Sequence, residues 1–168
     1  MSIVLETERM RLGTWDDEAV ERLLEMHQNA DVQRYLDREQ RLWTRDKAAM
    51  RVGDWLHESA IHALGKFPIR RRTDGAFIGR AGFSLYDGEP EIGYSIARPH
   101  WRQGYASEIA AGLRDWFFAN RKEASFIGFA HVDNVGSLTV LERIGMTPTY
   151  RGMIHGMLHQ FYVLGRPQ

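Results

Sequence analysis

The chain has 168 residues, 43% of them hydrophobic and 26% charged, a balance that fits one ordinary globular domain over residues 1–168. Lys plus Arg and Asp plus Glu number 22 each, so the formal charge is zero and the basic excess of a nucleic-acid binder is missing. No cysteine is present, which excludes disulfides, thiolate metal sites and a cysteine nucleophile.

Residues 10–15 read as a first strand, ended by Asp16-Asp17, a helix-capping pair. In the helix that follows, Val20, Leu23, Leu24 and His27 fall on one face at i, i+3, i+4 and i+7. Asp31 opens a shorter helical piece holding Tyr35 and Leu36. Thr44 caps a longer helix expected to end near Gly65, with Val52, Trp55, Leu56, Ser59 and Ala63 sharing a face. The tryptophans Trp43 and Trp55, with Tyr35, read as core.

The period then changes. Residues 67–72, 76–86 and 91–97 read as strands, separated by Thr73-Asp74-Gly75 and by Asp87-Gly88-Glu89-Pro90. Asp-Gly turns between β-rich runs predict an antiparallel meander. The run Arg70-Arg71-Arg72 is the one compact basic cluster and reads as a solvated strand end. A polar, glycine-bearing stretch at 100–105 leads into a helix over 106–120, whose apolar face is Ile109, Leu113, Trp116 and Phe117. A strand at 126–132 and a helix at 134–144 with Gly145 at its C-cap follow. Strands at 149–154 and 158–164 close the chain, joined around His155-Gly156. Helices, then a meander, then strand–helix–strand, predict an α/β fold with a mixed, mostly antiparallel sheet flanked by helices.

The chemistry concentrates in residues 91–106, EIGYSIARPHWRQGYA, with a helix immediately after. Small residues at Gly104 and Ala106 let backbone approach a ligand and leave N–H groups free, and a helix N-terminus adds roughly half a positive charge. Together they make an anion site suited to a phosphate or pyrophosphate, to which Arg102 adds a side chain. A Walker loop would need Gly-Lys-Ser/Thr in place of Gly104-Tyr105-Ala106. A dinucleotide fingerprint would need a βαβ unit, and the preceding strands form hairpins.

On four segments in order the chain resembles the GNAT superfamily of acetyl-CoA-dependent N-acetyltransferases, and more closely the branch that acetylates ribosomal-protein N-termini. LETERMRL at 5–12 is similar to that branch's opening strand, and EIGY at 91–94 to its fourth. WRQGYASE at 101–108 is similar to its pyrophosphate loop and helix start. Asn134-Val135-Gly136-Ser137, continuing to LERIGM at 141–146, is similar to its last helix. The resemblance implies that Arg102, Gln103, Gly104, Tyr105 and Ala106 hold the CoA pyrophosphate through their amides. It implies that Ser95, Ile96 and Ala97 splay from the fifth strand and pair with the pantetheine arm, that Asn134 contacts that arm, and that Ser137 sits near the thioester sulfur. Many family members carry a tyrosine seven residues after the asparagine, as acid for the leaving thiolate; Leu141 stands there in this chain, so Ser137 is the substitute candidate.

An amine attacks a thioester only as the neutral base, so the site must take a proton and steady an oxyanion. Glu91, in a strand of apolar and small residues, is the first candidate base, because partial burial raises a carboxyl pKa toward neutrality. His131 is second; His100, in the loop, reads equally as a surface residue, and proton loss through water is a further route. An amide near Ile96 serves the oxyanion. The expected partners are acetyl-CoA and a primary amine, a protein N-terminus or a small molecule, with neither nucleic acid nor membrane. The alternative is a CoA-binding or regulatory module without catalysis. No metal site is expected: His155 and His159 read as surface histidines. No run approaches the ~20 apolar residues of a membrane span. Glu6, Glu8, Arg9 and Arg11 interrupt what would be the apolar core of a signal peptide, so a cytoplasmic protein is expected, with a homodimer left open.

Overall fold

Strand alternation and helix periodicity sort the side chains into two apolar layers, one on each side of a single seven-stranded sheet. A computed structural model describes residue 3 and residues 5–168. In chain order the elements are β1 (Met10–Leu12), α1 (Asp17–His27), α2 (Ala30–Gln33), α3 (Arg45–His62), β2 (Gly65–Arg71), β3 (Phe77–Tyr86), β4 (Glu89–Ile96), α4 (Tyr105–Asn120), β5 (Ser125–His131), α5 (Val135–Arg143), β6 (Thr147–Ile154) and β7 (Met157–Gly165). A 3-10 turn, Arg98–His100, follows β4. The sheet order is β1-β2-β3-β4-β5-β7-β6, antiparallel throughout except where β4 meets β5. This is the mixed, mostly antiparallel sheet that the sequence predicts.

The larger core joins α4 and α5 to one face, through Phe83, Ile92, Ile109, Leu113, Phe117, Phe126 and Leu141. The smaller packs α1, α2 and α3 on the other face around Leu23, Val52 and Trp55. The α3 stripe is Ala48, Val52, Trp55 and Ser59, at i, i+4, i+7 and i+11, and Leu56 is exposed rather than on it. The helix also stops early. Ala63 takes a left-handed conformation at its C-cap, and Gly65 already belongs to β2. Asn29, not Asp31, caps α2, and Tyr35 and Leu36 lie beyond it.

The first strand is shorter than expected. Residues 5–12 fold back on themselves, Leu12 N–H donating to Leu5 O at 3.0 Å and Thr7 N–H to Met10 O at 2.8 Å. Trp15 leaves the sheet to stack on Trp55, and its indole N–H donates to Lys66 O. In the β3–β4 hairpin Tyr86 pairs with Glu89, so the turn is only Asp87-Gly88. Both take positive φ, +50° and +79°, as a two-residue type I′ connection requires. The β6–β7 turn repeats this with His155 and Gly156.

Candidate functional site

The β4–β5 contact is the one parallel step in the sheet, and its register holds a single pair, Glu91 with Ile127. Past that pair β4 runs on to Ile96 held by β3 alone, with Gly79 opposite Ile96 and Arg80 opposite Ser95. Beyond Glu91 the two strands diverge, leaving one backbone edge of β4 facing a gap. Ala97 N–H donates to Ile78 O on the β3 side, so alternation turns the backbone groups of Tyr94 and Ile96 toward the gap. One of these is engaged: the Ile96 carbonyl accepts the Trp101 indole N–H at 2.7 Å. The splay expected at Ser95, Ile96 and Ala97 is therefore present, with Ile96 O closed by the loop tryptophan.

The loop at 102–106 turns through two positive-φ residues, Arg102 at +60° and Gly104 at +80°. Gly104 is the N-cap of α4 and supplies no side-chain cap, so the first-turn amides have no side-chain partner at the helix start. The loop is braced from behind. Glu108 accepts Thr7 Oγ1 at 2.5 Å, Arg9 N–H at 2.9 Å and Arg9 Nε at 2.7 Å. Arg9 in turn donates to Gln103 O at 2.8 Å and lies 4.3 Å over the Tyr105 ring. Burial pushes the Glu108 carboxyl up, but the bonds from Thr7 and Arg9 outweigh it and hold it below the ordinary value. Arg102, Gln103 and Gly104 stay exposed, while Tyr105 is buried.

Across the gap, Asn134 caps α5, its side-chain oxygen accepting Ser137 N–H at 3.3 Å. That leaves the Asn134 amide NH₂ for a ligand. Ser137 Oγ lies 3.2 Å from the hydroxyl of Tyr94, which also bonds Ser137 O at 3.1 Å. Burial pushes the Tyr94 phenol well above its usual range, so it stays protonated at neutral pH. Tyr94 was missed in the sequence because it belongs to the strand motif. Only the packing of β4 on α5 brings it to Ser137.

Glu91 lies on the opposite face of β4 from Tyr94, 6% exposed, its Oε2 3.7 Å from Lys66 Nζ. Burial raises its pKa, with Lys66 and then Arg80 pulling the other way. Glu91 is therefore buried and is not a solvated carboxylate on an outer strand face. Arg80 is buried on the same face and pulled down to about 9 by burial and by Arg51. It donates to His27 Nε2 at 3.3 Å, which places the His27 proton on Nδ1, facing Gln33 Oε1 at 2.7 Å.

His131 ends β5 on this face too, tilted 5.2 Å from Tyr35. Its Nδ1 accepts Asp133 N–H at 3.0 Å, which puts the ring proton on Nε2 in the neutral form. His100 packs edge-on to Tyr105, its pKa lowered by burial and then by Arg71. His159, expected on the surface, is buried, with Nδ1 2.9 Å from Met157 O. His131, Asp133, Tyr35, Arg34, Arg38 and the β6–β7 turn line a cleft of about 490 Å³. Among the described residues no group of three or more His, Asp or Glu is placed to hold a metal ion, and no helix is long and apolar enough to cross a membrane.

A profile of the acetyltransferase (GNAT) domain matches residues 9–147. The chain is 31% identical over 156 residues to the uncharacterized protein YkkB of Bacillus subtilis, covering 84% of each. Its fold superposes on a GNAT-family acetyltransferase from Bacillus anthracis with TM-score 0.83 at 22% identity, covering 97% of this chain and 98% of that one. RimL, a ribosomal-protein alpha-N-acetyltransferase solved with coenzyme A, superposes with TM-score 0.82 at 17% identity, over 96% and 97% of the two chains. With the profile spanning most of its length, this chain belongs to the GNAT family of acetyltransferases.

Proposed function

We propose that the protein transfers the acetyl group of acetyl-CoA to a primary amine, a protein N-terminus or a small amine, by direct attack on the thioester. The observation that carries the reading is the open edge of β4 beside the uncapped start of α4. It fits a pantetheine arm lying as an added strand, with its pyrophosphate over the amides of residues 102–106. The Asn134 amide would hold the arm from the α5 side. Family membership favours an enzyme over a non-catalytic CoA-binding module.

Glu91 takes the proton of the attacking amine through intervening water on the α3 side of β4, since Ile96 lies five residues, roughly 16 Å, along the strand. The amide of Ile96, facing the gap, steadies the oxyanion as the thioester carbonyl becomes tetrahedral. When the C–S bond breaks, the electron pair goes to sulfur. Ser137, with Tyr94 behind it, donates a hydrogen bond to the thiolate on the α5 side and steadies its charge until solvent supplies the proton. The acceptor enters by the cleft between residues 34–40 and the β6–β7 turn, on the Glu91 face. The likeness to RimL supports a protein N-terminus as the acceptor, and the cleft also has room for a small amine.

Acetyl-CoA at ~100 times its dissociation constant adds about 2.7 kcal/mol to stability, and the melting temperature should rise by several degrees. Thiol release over a panel of amines and Ser- or Ala-initiated peptides then identifies the acceptor. A folded protein whose melting point ignores millimolar acetyl-CoA would overturn the cofactor reading. Binding without thiol release on any acceptor would favour the non-catalytic module.

A further inference from the structure

Lys66 is a lysine in a buried strand, and the register explains how the sheet tolerates it. Lys66 on β2 stands opposite Gly82 on β3, and Gly82 opposite Gly93 on β4. Both residues beside it in that cross-strand row lack a side chain, so the lysine lies flat across two strands. A Cβ at Gly93 would stand 2.5 Å from Nζ and 2.6 Å from Cε, so the ammonium occupies space that only glycine leaves. From there Nζ is 3.7 Å from Oε2 of Glu91, two residues along the same face, and the two side chains are 10% and 8% exposed.

We propose that Lys66 is a positioning residue that holds the Glu91 carboxylate in place and in its charged, proton-accepting form. The inference rests on the reading of Glu91 as the base. A carboxylate taken out of water without a cation becomes a neutral acid, and a neutral acid cannot receive a proton from the amine. The other charged groups facing this pair are Arg80 from β3 and Arg51 and Glu58 from α3. Arg80 is directed elsewhere, its Nε bonded to His27 and its guanidinium 5.0 Å over the Trp55 ring. Glu58 accepts Ser84 Oγ and Leu85 N–H, and its charge works against ionisation of Glu91. Burial in turn pulls the Lys66 amine down, opposed by Glu91, so the charged form of each is favoured first of all by the other.

The experiment titrates the Glu91 carboxyl by ¹³C NMR in glutamate-labelled protein, assigned by its loss in Glu91→Gln, in wild type, Lys66→Met and Gly93→Ala. In parallel, the acid limb of kcat/KM is measured with acetyl-CoA and the amine found active in the panel. An opposite charge at this range lowers a carboxyl pKa by about 1–3 units, so Lys66→Met should raise the Glu91 midpoint and the acid limb by that amount. Gly93→Ala, which crowds the ammonium out, should move both in the same direction. A Glu91 midpoint unmoved in whichever variant folds would overturn the role of Lys66. An acid limb that survives Glu91→Gln would overturn the base reading instead, while the NMR titration still decides whether Lys66 governs the carboxyl. Should neither variant fold, the wild-type titration decides: Glu91 and the Lys66 amine must report each other's protonation, and independent titrations would overturn the pairing.

Discussion

Glu108→Gln tests whether the fold-back at 5–12 holds the loop at 102–106, the proposed pyrophosphate site. In the wild type Oε2 accepts both Thr7 Oγ1 and Arg9 N–H, and Oε1 accepts Arg9 Nε. Glutamine has one acceptor oxygen. In its better orientation that oxygen keeps the Thr7 and Arg9 backbone bonds and turns its NH₂ toward the Arg9 guanidinium, donor against donor. What is lost is one charge-assisted bond, about 1.5–3 kcal/mol. The side chains of Arg9 and Glu108 are 39% and 20% exposed, so the low end of that range applies. For a chain of this size the melting temperature should fall by roughly 3–6 °C.

The same substitution loosens Arg9 from Gln103 O and from the Tyr105 ring, so acetyl-CoA should bind several-fold more weakly. Differential scanning calorimetry and a calorimetric acetyl-CoA titration read the two effects. The folded-state pKa of Glu108 lies below its ordinary 4.5, so its stabilisation is complete above that value and is lost as pH falls through the depressed one. The melting-point gap between wild type and variant should therefore close on acidification below 4.5. A variant that melts within about 1 °C of wild type at neutral pH and binds acetyl-CoA equally would refute the bracing of the loop by Glu108 and Arg9.

Ser137→Ala should lower the maximal rate and leave acetyl-CoA affinity unchanged, the mark of an interaction made mainly in the transition state. Tyr94→Phe should do the same through Ser137, and the double variant should be no slower than the worse single one; additive losses in steady-state kinetics would show separate roles. His27, fully buried and held far below 6.5 by burial and then by Arg80, must stay neutral in the fold. Because its pKa is depressed, its contribution is present above 6.5 and declines as pH falls. His27→Gln keeps an acceptor for Arg80 but cannot titrate, so thermal melts between pH 7 and 5 should decline less steeply in the variant than in wild type.

Periodicity and turn chemistry carried most of the fold. The stripe of α4 and the Asp87-Gly88 and His155-Gly156 turns depend on neighbours within a few residues, which the sequence displays. What depends on remote partners was not legible. Leu56 fits the helical pattern of α3 yet faces solvent, because the contact surface under that helix is only as wide as Ala48, Val52, Trp55 and Ser59. Strand β1 ends early because Trp15 finds a better place against Trp55 and Lys66 O. Of the candidate site, the loop at 102–106 and the Asn134 cap were visible as motifs. Lys66 was not, since nothing local in Gly65-Lys66-Phe67 marks the lysine as buried. Its burial follows from Gly82 and Gly93, 16 and 27 residues further on in the chain, falling in one cross-strand row.

Alternation along β4 gives the proposed chemistry its layout. Glu91, Gly93 and Ser95 face the α3 side, while Ile92, Tyr94 and Ile96 face α4 and α5. The proposed base, Glu91, and the Tyr94 hydroxyl behind Ser137 are thus carried by one strand on opposite faces, three residues apart, while Ser137 itself sits on α5. A carboxyl is a far stronger acid than a phenol, and the Glu91 charge adds to burial in keeping Tyr94 protonated, so a carboxylate beside Lys66 and a neutral phenol coexist at one pH. In the proposed reaction the acetyl group would bridge the two faces where the sheet is open, in the gap past Glu91 and Ile127. The proposed acceptor cleft draws on residues 34–40 and the β6–β7 turn, and the proposed CoA groove on β4, the α4 start and the α5 cap, so substitutions in the first set should redirect the acceptor without loosening acetyl-CoA.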